Sequence, residues 1–459
     1  MNDIALSISP PQNASTSLLY GELLDRLQNR KALIGVIGLG YVGLPLALTF
    51  AEADVRVLGF DNDTEKPAAI REGRTYLKQY SPERIAACVR AGNFEATSDM
   101  ARLEEPDVIV ICVPTPLTRH LEPDLSFVTR TTEGIALRLR RGQLIILEST
   151  TYPGTTTEVV KPLLERTGLV CGQDFFLAYS PEREDPGNQT HTTSSIPKVV
   201  GADDDNSRKL ACVLYESYGG VTVSVVSSAT AEAVKITENI FRAINIALVN
   251  ELKVVYAKMG INIWEVIEAA KTKPFGYMPF YPGPGLGGHC IPIDPFYLTW
   301  KAREFELSTR FIELAGQINT SMPDHVIDVL SHALDERYRR GLNGSRILVM
   351  GLAYKKNVDD LRESPSLRLI EKLEARGARA DYFDPFIPRI PTTREHATLT
   401  GRESIEWEIS LVTAYDAILI STDHDGIDYA EVARSAPLVI DTRNACARSG
   451  ADMSRVVLA

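Results

Sequence analysis

The sequence has no long hydrophobic run, no excess of positive charge and no low-complexity tract. No stretch approaches the roughly 18 consecutive apolar residues that a membrane-spanning helix needs. Residues 1–30 lack the basic start and apolar core of a secretory signal. The net charge of −11 argues against a broad nucleic-acid-binding surface. We therefore expect a cytoplasmic protein with neither a membrane nor a nucleic acid as partner, in which local cations would meet any anionic ligand.

The cysteines are few and widely scattered, and no two of them form a CxxC pair. They are Cys88, Cys112, Cys171, Cys212, Cys290 and Cys446. In a reducing compartment this spacing predicts free thiols and no metal site. We expect all but Cys290 to be small core or surface residues.

The pattern of apolar residues predicts an α/β protein. From residue 31 to residue 226, short apolar runs alternate with polar or helix-patterned stretches, as in a parallel sheet with crossover helices. Residues 230–260 keep helical spacing without proline and predict one long helix. Residues 343–459 repeat the alternating pattern. We expect two Rossmann-like, doubly wound parallel-sheet domains joined by that long central helix.

The length of 459 residues predicts roughly three domains. We place a leader segment with a short helix at residues 1–30 and a first α/β domain at residues 31–226. A central helical domain that carries the Cys290 loop follows at residues 227–342. A second α/β domain takes residues 343–459.

The motif GLGYVG, Gly38 to Gly43, lies between a strand-like run and a helix-like run. Glycines at these places permit a tight turn and let backbone N–H groups approach a pyrophosphate at the start of a helix. Asp61 closes the next strand-like run, where an acid accepts from ribose hydroxyls and repels a 2′-phosphate. The motif therefore favours NAD over NADP. A tight strand-to-helix turn without a ligand is the alternative.

The segment PGPGLGGHCIPIDP, residues 282–295, is too rich in proline and glycine to be a helix or a strand. An activated thiolate is a strong nucleophile, and glycines let a bulky ligand approach it. The alternative for Cys290 is a small buried side chain in a turn. Catalysis is favoured because separate segments offer further polar groups that suit one cleft. These groups are Glu182 and Arg183 in a loop, Lys235 and Asn239 on one helical face, and Asp294.

The chain resembles the UDP-glucose/GDP-mannose dehydrogenase family from about Leu33 to its last residue. The motifs that carry the resemblance are GLGYVG, CVPTP, ESTTYPGTT, SPERE, AEAVKITEN, GLGGHCIPIDP and GLAYKKNVDDLRESPS. Within the family, SPEREDPGN with TKPFG and PGPGLGGHCIPIDP is most similar to bacterial enzymes that oxidise UDP-N-acetylglucosamine for capsule, O-antigen or lipopolysaccharide synthesis. Enzymes for UDP-glucose, UDP-GalNAc or UDP-ManNAc are the alternatives.

The resemblance implies a four-electron oxidation of a sugar C6 alcohol to a uronate with NAD. Cys290 would trap the aldehyde as a thiohemiacetal, and Lys235 and Asn239 would stabilise the developing oxyanion. A second oxidation would give a thioester, which water would cleave. The groups that would position or deprotonate this water are Glu182, Asp294 and Thr150.

By the same resemblance, residues 31–226 would bind NAD and residues 343–459 a UDP-sugar. The implied NAD contacts are Gly38, Leu39, Gly40, Tyr41, Val42, Gly43, Asp61, Lys66, Thr115, Thr150 and Arg362. The implied substrate contacts are Glu182, Arg183, Lys235, Asn239, Tyr281, Gly287 and Lys355. The long helix implies a homodimer or a higher homo-oligomer.

The sequence departs from the family at Ile293, where many UDP-glucose enzymes carry a lysine. A cofactor contact is therefore absent there or supplied elsewhere. Three functions stay open: the four-electron oxidation, a two-electron dehydrogenation of a smaller hydroxy acid, and a non-catalytic module that senses NAD or a sugar nucleotide. Only the first needs both Cys290 and a separate nucleotide domain.

Overall fold

The chain divides into two compact units, Met1–Thr237 and Glu238–Ala459. The structure is a computed structural model that describes residues 14–77, 80–118, 120, 122–183, 195–288, 291–393 and 395–459. Each unit holds one sheet with its own helices, which confirms the prediction of two doubly wound α/β domains. The finer division at residues 30, 226 and 342 stays a prediction.

The first unit is built on an eight-stranded sheet within the described residues. Its strands are β1 (Leu33–Ile37), β2 (Arg56–Phe60), β3 (Phe94–Thr97), β4 (Val108–Ile111), β5 (Leu144–Leu147), β6 (Phe176–Tyr179), β7 (Lys198–Gly201) and β8 (Thr222–Val225). Its helices are α1 (Ala14–Gln28), α2 (Gly43–Glu52), α3 (Glu65–Arg71), α4 (Pro82–Arg90), α5 (Ser126–Ala136), α6 (Lys161–Glu165) and α7 (Asp205–Glu216). A 3-10 helix covers Met100–Glu104, and a π-helical turn, Thr156–Val160, leads into α6.

The strands of the first sheet lie in the order β3-β2-β1-β4-β5-β6-β7-β8, and β1 to β6 are parallel. Runs such as VIVI in β4 and LIIL in β5 are fully buried, as expected for strands covered by helices on both faces. The order changes direction between β1 and β4. The carboxyl ends of these two strands therefore flank the crevice where such sheets bind ligands.

Strand β7 corrects the expectation of an all-parallel sheet. It pairs antiparallel with β6, with Tyr179 opposite Gly201, and parallel with β8. The sequence does not reveal this because a short buried run such as KVVG has the same apolar pattern in either direction. The amino end of β7 thus lies at the same edge of the sheet as the carboxyl end of β6.

One long helix, α8 (Ser228–Lys258), begins in the first unit and ends in the second. It confirms the helix predicted over about residues 230–260. The segment contains neither proline nor glycine, so nothing in it breaks the helical hydrogen bonds. Gly260 follows its end with a φ of +71°, a backbone conformation that commonly terminates helices.

The second unit has a five-stranded sheet within the described residues, in the order β10-β9-β11-β12-β13 and parallel throughout. Its strands are β9 (Arg346–Met350), β10 (Arg379–Phe383), β11 (Ala417–Ile420), β12 (Val439–Asp441) and β13 (Val456–Leu458). The helices after α8 are α9 (Ile263–Ala270), α10 (Asp294–Ala302), α11 (Arg310–Tyr338), α12 (Pro365–Ala375), α13 (Tyr429–Ser435) and α14 (Ala445–Arg448). Short 3-10 helices cover Arg303–Phe305, Ala397–Leu399, Ile409–Ala414 and Met453–Arg455. Of all the helices in the described parts of the chain, none is long and apolar enough to cross a membrane.

Candidate active site

The glycine-rich turn between β1 and α2 has the form that its sequence predicts. Gly38 has a φ of +91°, and a Cβ at Gly43 would lie only 1.9 Å from the Gly38 carbonyl oxygen. These two positions therefore require glycine. Leu39 is buried, and Tyr41 and Val42 pack partly buried against the core. No described atom lies within 4 Å of the place that a Cβ would take at Gly40, so the backbone is open to a ligand there.

Asp61 ends β2 and binds the glycine-rich turn directly. Its Oδ2 accepts a hydrogen bond from the Leu39 N–H at 2.9 Å and pairs with the Lys66 ammonium at 2.9 Å. Its Oδ1 accepts from the Asp63 N–H at 2.9 Å. The side chain of Asp61 is buried whereas that of Lys66 is 28 % exposed. The structure thus brings the predicted acid and lysine together beside the turn.

Thr115 and Thr150 follow the neighbouring strands β4 and β5. The Thr115 hydroxyl donates to the Thr150 carbonyl at 2.6 Å, which ties the two loops together. Because β1, β4 and β5 are adjacent and parallel, both threonines lie at the edge of the sheet that carries the glycine-rich turn. Four predicted cofactor segments therefore meet at one edge of the sheet, as Rossmann-like domains require.

Glu182 and Arg183 follow β6 at the same edge of the sheet. Glu182 is buried, with Oε2 at 3.6 Å from the Lys198 ammonium. The Arg183 guanidinium donates to the Pro197 carbonyl at 2.7 Å. The rest of the predicted loop, from residue 184 to residue 194, lies outside the described residues.

Lys235 lies on α8 and is buried, with 7 % of its surface exposed. The turn of α8 before it is fixed by Glu232, whose carboxylate accepts from the N–H groups of Gly154 at 2.5 Å and Thr156 at 2.9 Å. Burial raises the pKa of Glu232 to about 7, against the opposing effect of these hydrogen bonds. Helix α8 is thereby fastened to the loop that follows Thr150.

Asn239 and Asp294 form a direct hydrogen bond in the second unit. Asn239 Nδ2 donates to Asp294 Oδ2 at 2.6 Å, and both residues are buried. Asp294 is the first residue of α10, where the helix dipole favours a negative charge. The predicted nucleophile Cys290 lies outside the described residues, four positions before Asp294 in the sequence.

The glycines of the cysteine loop pack against the segment that follows β9. A Cβ at Gly287 would lie 2.6 Å from Tyr354 Cβ, and one at Gly288 would lie 3.0 Å from the Tyr354 ring. The Gly288 N–H also donates to the Arg362 carbonyl at 2.9 Å. We expected the loop's glycines to leave room for the sugar and the nicotinamide. That expectation stays a prediction: at these two positions the side of the backbone that a Cβ would take is filled by the protein's own chain.

Lys355 belongs to a loop that two buried polar residues anchor. The His424 ring accepts from the Asn357 N–H at 3.0 Å through Nδ1, and its Nε2 lies 3.0 Å from Asp384 Oδ2. The same carboxylate oxygen accepts from the Leu352 N–H at 2.6 Å. The loop on both sides of Lys355 is therefore held in one conformation.

The remaining predicted contacts, Tyr281 and Arg362, have partners within the second unit. The Tyr281 hydroxyl donates to Glu268 at 2.8 Å, and its ring stacks on Trp264 at 5.9 Å between centroids. Arg362 pairs with Asp360 through Nη2 at 2.6 Å, and 39 % of its side chain is exposed. Both side chains stay accessible, since Tyr281 is 43 % exposed.

Sequence reasoning missed the buried polar groups that support these residues. They are Glu148, Lys198, Tyr215, Glu232, Asp384 and His424. Glu148 and Glu232 lie in the motifs ESTTYPGTT and AEAVKITEN, but the sequence analysis gave them no role there. The others stand in apolar or mixed stretches, with no recurring spacing that would have signalled them. One available signal was the lysine at the head of the otherwise apolar run KVVG.

The first domain, with its glycine-rich turn, its acid after β2 and its threonines at the switch in strand order, defines an NAD-binding dehydrogenase domain. The chain belongs to the UDP-glucose/GDP-mannose dehydrogenase family. Residues 32–219 match its NAD-binding domain, residues 229–321 its central domain and residues 348–448 its UDP-binding domain. NAD is therefore the cofactor.

The relatives carry different sugar names. A UDP-N-acetyl-D-glucosamine 6-dehydrogenase of Pseudomonas aeruginosa is 36 % identical and covers 85 % of this chain and 90 % of its own. The UDP-D-ManNAc dehydrogenase structure of Pyrococcus horikoshii has a TM-score of 0.81 at 34 % identity, over 90 % of this chain and 96 % of its own. An NDP-N-acetyl-D-galactosaminuronic acid dehydrogenase structure of Methanosarcina mazei has a TM-score of 0.77 at 30 % identity, over 95 % and 97 %. The chain is an NAD-dependent nucleotide-sugar dehydrogenase by family.

Proposed function

We propose that the protein oxidises the C6 hydroxymethyl group of UDP-N-acetylglucosamine to the uronate, as a precursor of a surface polysaccharide. The observation that carries this proposal is the buried Asn239–Asp294 hydrogen bond at 2.6 Å, which follows the cysteine loop directly. It pairs an amide donor with a carboxylate, which are the kinds of group that stabilise an oxyanion and activate water in thioester chemistry. The name of the Pseudomonas aeruginosa relative supports the choice of sugar.

The chemistry balances over two oxidations and one hydrolysis. The C6 alcohol loses a proton and a hydride to become an aldehyde, and the Cys290 thiolate adds to the aldehyde carbon. Loss of a second hydride turns the thiohemiacetal into a thioester, which water cleaves to the carboxylate and the free thiol. NAD, when bound, supplies the hydride acceptor for both oxidations. Each uronate therefore consumes two NAD and one water.

Lys235 and Asn239 suit the stabilisation of negative charge on the sugar O6. Both are buried, so their ammonium and amide donors act where water screens little. Asp294 has its orientation set by Asn239, and Glu182 forms an ion pair with Lys198 at 3.6 Å. We assign the activation of water to these two carboxylates, with Thr150 as a further positioning group.

The described residues fit NAD well. Gly38 and Gly43 close the turn, while the open space above Gly40 lets its backbone approach a pyrophosphate. Asp61, directly after β2, and Lys66, paired with it at 2.9 Å, suit the hydroxyl groups of the adenine ribose. The full set that we assign to the cofactor is Gly38, Leu39, Gly40, Tyr41, Val42, Gly43, Asp61, Lys66, Thr115, Thr150 and Arg362.

A further set of residues is assigned to the sugar nucleotide. The anchored loop around Lys355 suits a diphosphate, because an ordered ammonium binds phosphate without first losing conformational freedom. The exposed ring of Tyr281 suits stacking or hydrogen bonding to the nucleotide. The full set is Glu182, Arg183, Lys235, Asn239, Tyr281, Gly287 and Lys355.

A substrate panel tests the proposal. Purified protein is given UDP-GlcNAc, UDP-GalNAc, UDP-ManNAc or UDP-glucose with NAD, and NADH and uronate are both counted. We expect the highest kcat/KM with UDP-GlcNAc and two NADH for each uronate. A preference for UDP-ManNAc would instead assign the substrate for which the Pyrococcus horikoshii relative is named. One NADH per product would show a two-electron dehydrogenase, and no turnover would support a sensing module.

A further inference from the structure

A buried cluster of charged groups lies behind Glu182 in the first unit. The Lys198 ammonium is 2.9 Å from Glu148 Oε1 and 3.6 Å from Glu182 Oε2. The side chains of Lys198 and Glu148 are 4 % and 0 % exposed. The Tyr215 hydroxyl donates to the same Glu148 oxygen at 2.5 Å, and its ring lies 5.1 Å from the Lys198 ammonium. One cation is thus shared by two carboxylates away from water.

The direction of β7 explains why Lys198 lies there. Tyr179 pairs with Gly201 in the antiparallel register, and continuing that register by three residues brings Lys198 opposite Glu182. In a parallel β7, Lys198 would begin the strand at the opposite edge of the sheet. Glu148 reaches the same place because it directly follows β5, the other neighbour of β6. The cluster is therefore a product of the sheet's topology.

The groups that face Glu182 come from several elements. Glu148 follows β5, Lys198 begins β7, Tyr215 lies on α7, Tyr218 follows the end of α7, and Cys112 follows β4. Burial by itself lowers the pKa of Lys198, but Glu148 and Glu182 outweigh it and the pKa is raised. Burial, with Glu182 nearby, raises the pKa of Glu148 in spite of Lys198 and Tyr215. Lys198 therefore stays charged, and the two carboxylates compete for it.

We propose that Lys198 is a positioning residue for Glu182, and that Glu148 limits its effect by sharing the ammonium. The inference rests on the proposed contact between Glu182 and the substrate. Lys198 holds the Glu182 carboxylate by an ion pair and directs it at the sugar, although Lys198 itself touches neither substrate nor cofactor. Replacing Lys198 or Glu148 should then act on Glu182 in opposite directions.

The test compares the pH dependence of kcat/KM for Lys198→Met, Lys198→Arg and Glu148→Gln, with whichever UDP-sugar the wild type oxidises best. Lys198→Met leaves two carboxylates without their cation. The acid limb of the profile, in which kcat/KM falls as the pH falls, should therefore move to higher pH by about one unit or more. Activity at neutral pH should fall at least about tenfold, with the Kd of NAD unchanged. Lys198→Arg should restore most of the activity. Glu148→Gln gives Glu182 the whole cation, so the acid limb should move to lower pH.

A general loss of packing would lower activity at every pH. It therefore cannot shift the acid limb upward in Lys198→Met and downward in Glu148→Gln. If Glu148→Gln leaves the acid limb in place or moves it upward, the proposal is overturned, even if Lys198→Met does not fold. Glu182→Gln is the reference variant and should abolish the acid limb. If it keeps the wild-type profile, Glu182 is not the titrating group and the proposal also fails. The identity of the substrate is judged separately, on the wild type alone.

Discussion

At the scale of single residues, the Asp61 carboxylate holds both the glycine-rich turn and the Lys66 ammonium. Asp61→Ser should leave Lys66 without its anion, and a freed ammonium at the ribose edge attracts a 2′-phosphate. We expect kcat/KM to fall with NAD and to rise with NADP. The ratio of kcat/KM with NADP to kcat/KM with NAD should rise at least about tenfold, which is the effect expected for the loss of a charged hydrogen bond. Steady-state kinetics with both cofactors measure this.

Two variants control this experiment. Asp63→Ser removes an exposed neighbouring carboxylate and should leave the cofactor preference unchanged. Adding Lys66→Met to Asp61→Ser should remove the gain with NADP. If the double variant keeps that gain, the ammonium is not its source.

Glu232 gives a second prediction, on stability. Burial raises the pKa of its carboxyl from its usual 4.5 to about 7, so between these values the folded state binds more protons than the unfolded state. The stability that this site contributes is fully present below about pH 4.5 and is lost as the pH rises through 7. Glu232→Gln should remove that loss, on the order of 3 kcal/mol. The difference between the Tm of the variant and the Tm of the wild type should therefore shift in favour of the variant as the pH rises from 5 to 8. If the Tm of the two proteins changed equally with pH over this range, the raised pKa of Glu232 would be contradicted.

The sequence indicates some of the contacts within the candidate site and misses others. Asn239 and Asp294 meet as expected, because each lies in a recognisable motif with fixed spacing. Lys198 was missed because its place depends on the direction of β7, which apolar pattern does not encode. Gly287 shows a different limit: a glycine predicts close approach, but not whether a ligand or the protein's own backbone approaches it.

At the scale of elements, α8 exposes an apolar stripe in the second unit. Phe241, Leu248 and Val255 on α8, and Met259 directly after its end, are 50 %, 49 %, 45 % and 63 % exposed. Spacings of seven and four residues place them on one face of a helix. An exposed apolar stripe of this kind favours association. We propose that it forms part of the interface of a homodimer.

The stripe predicts that Leu248→Glu will weaken self-association. A carboxylate buried in an apolar interface costs several kcal/mol, so the variant should elute at a smaller mass over a range of concentrations. Ala257→Glu is the matched control, since Ala257 is exposed on the opposite side of α8. Light scattering coupled to size exclusion measures both. Unchanged assembly of Leu248→Glu would place the interface elsewhere.

The sequence predicts elements best where the apolar pattern is long. Helix α8 differs from its predicted bounds by about two residues, and the runs LIGVI, RVLGF and LIIL all form strands. Strands β3 and β8 were not predicted because FEAT and TVSV mix polar and apolar residues at positions that are only partly buried. Short edge strands depend on their neighbours more than on their own composition.

At the scale of the whole molecule, an acidic chain must bind two anionic nucleotides. With a net charge of −11, it cannot rely on its overall field and needs local cations. The structure supplies them in each unit: Lys66 and Lys235 in the first, Lys355 and Arg362 in the second. Placing the cations singly beside fixed loops favours specific binding over general attraction of polyanions.

The full reaction yields a prediction for Cys290→Ser. Serine keeps the size and polarity of the side chain, but it is the poorer nucleophile at neutral pH and its ester hydrolyses more slowly than a thioester. The variant should fold and bind NAD, and turnover should stall either after the first oxidation or, where the serine has been acylated, at the ester. We expect a slow burst of at most two NADH per active site, or an acyl-enzyme that carries the mass of the sugar-nucleotide uronate. Stopped-flow absorbance and intact-protein mass spectrometry measure the two outcomes.

Cys88→Ser and Cys212→Ser are the matched controls, because these cysteines lie on α4 and α7 outside every motif of the site. Both should keep turnover close to that of the wild type, although Cys88→Ser buries a hydroxyl and should lose some thermal stability. The three variants together separate loss of a nucleophile from loss of a thiol in general. If Cys290→Ser turned over near the wild-type rate and released uronate with two NADH per product, the glycine loop would hold a structural thiol. Both oxidations would then proceed without a covalent intermediate. Water would add to the free aldehyde to give a hydrate held by Asp294 or Glu182, and that hydrate would lose the second hydride to NAD.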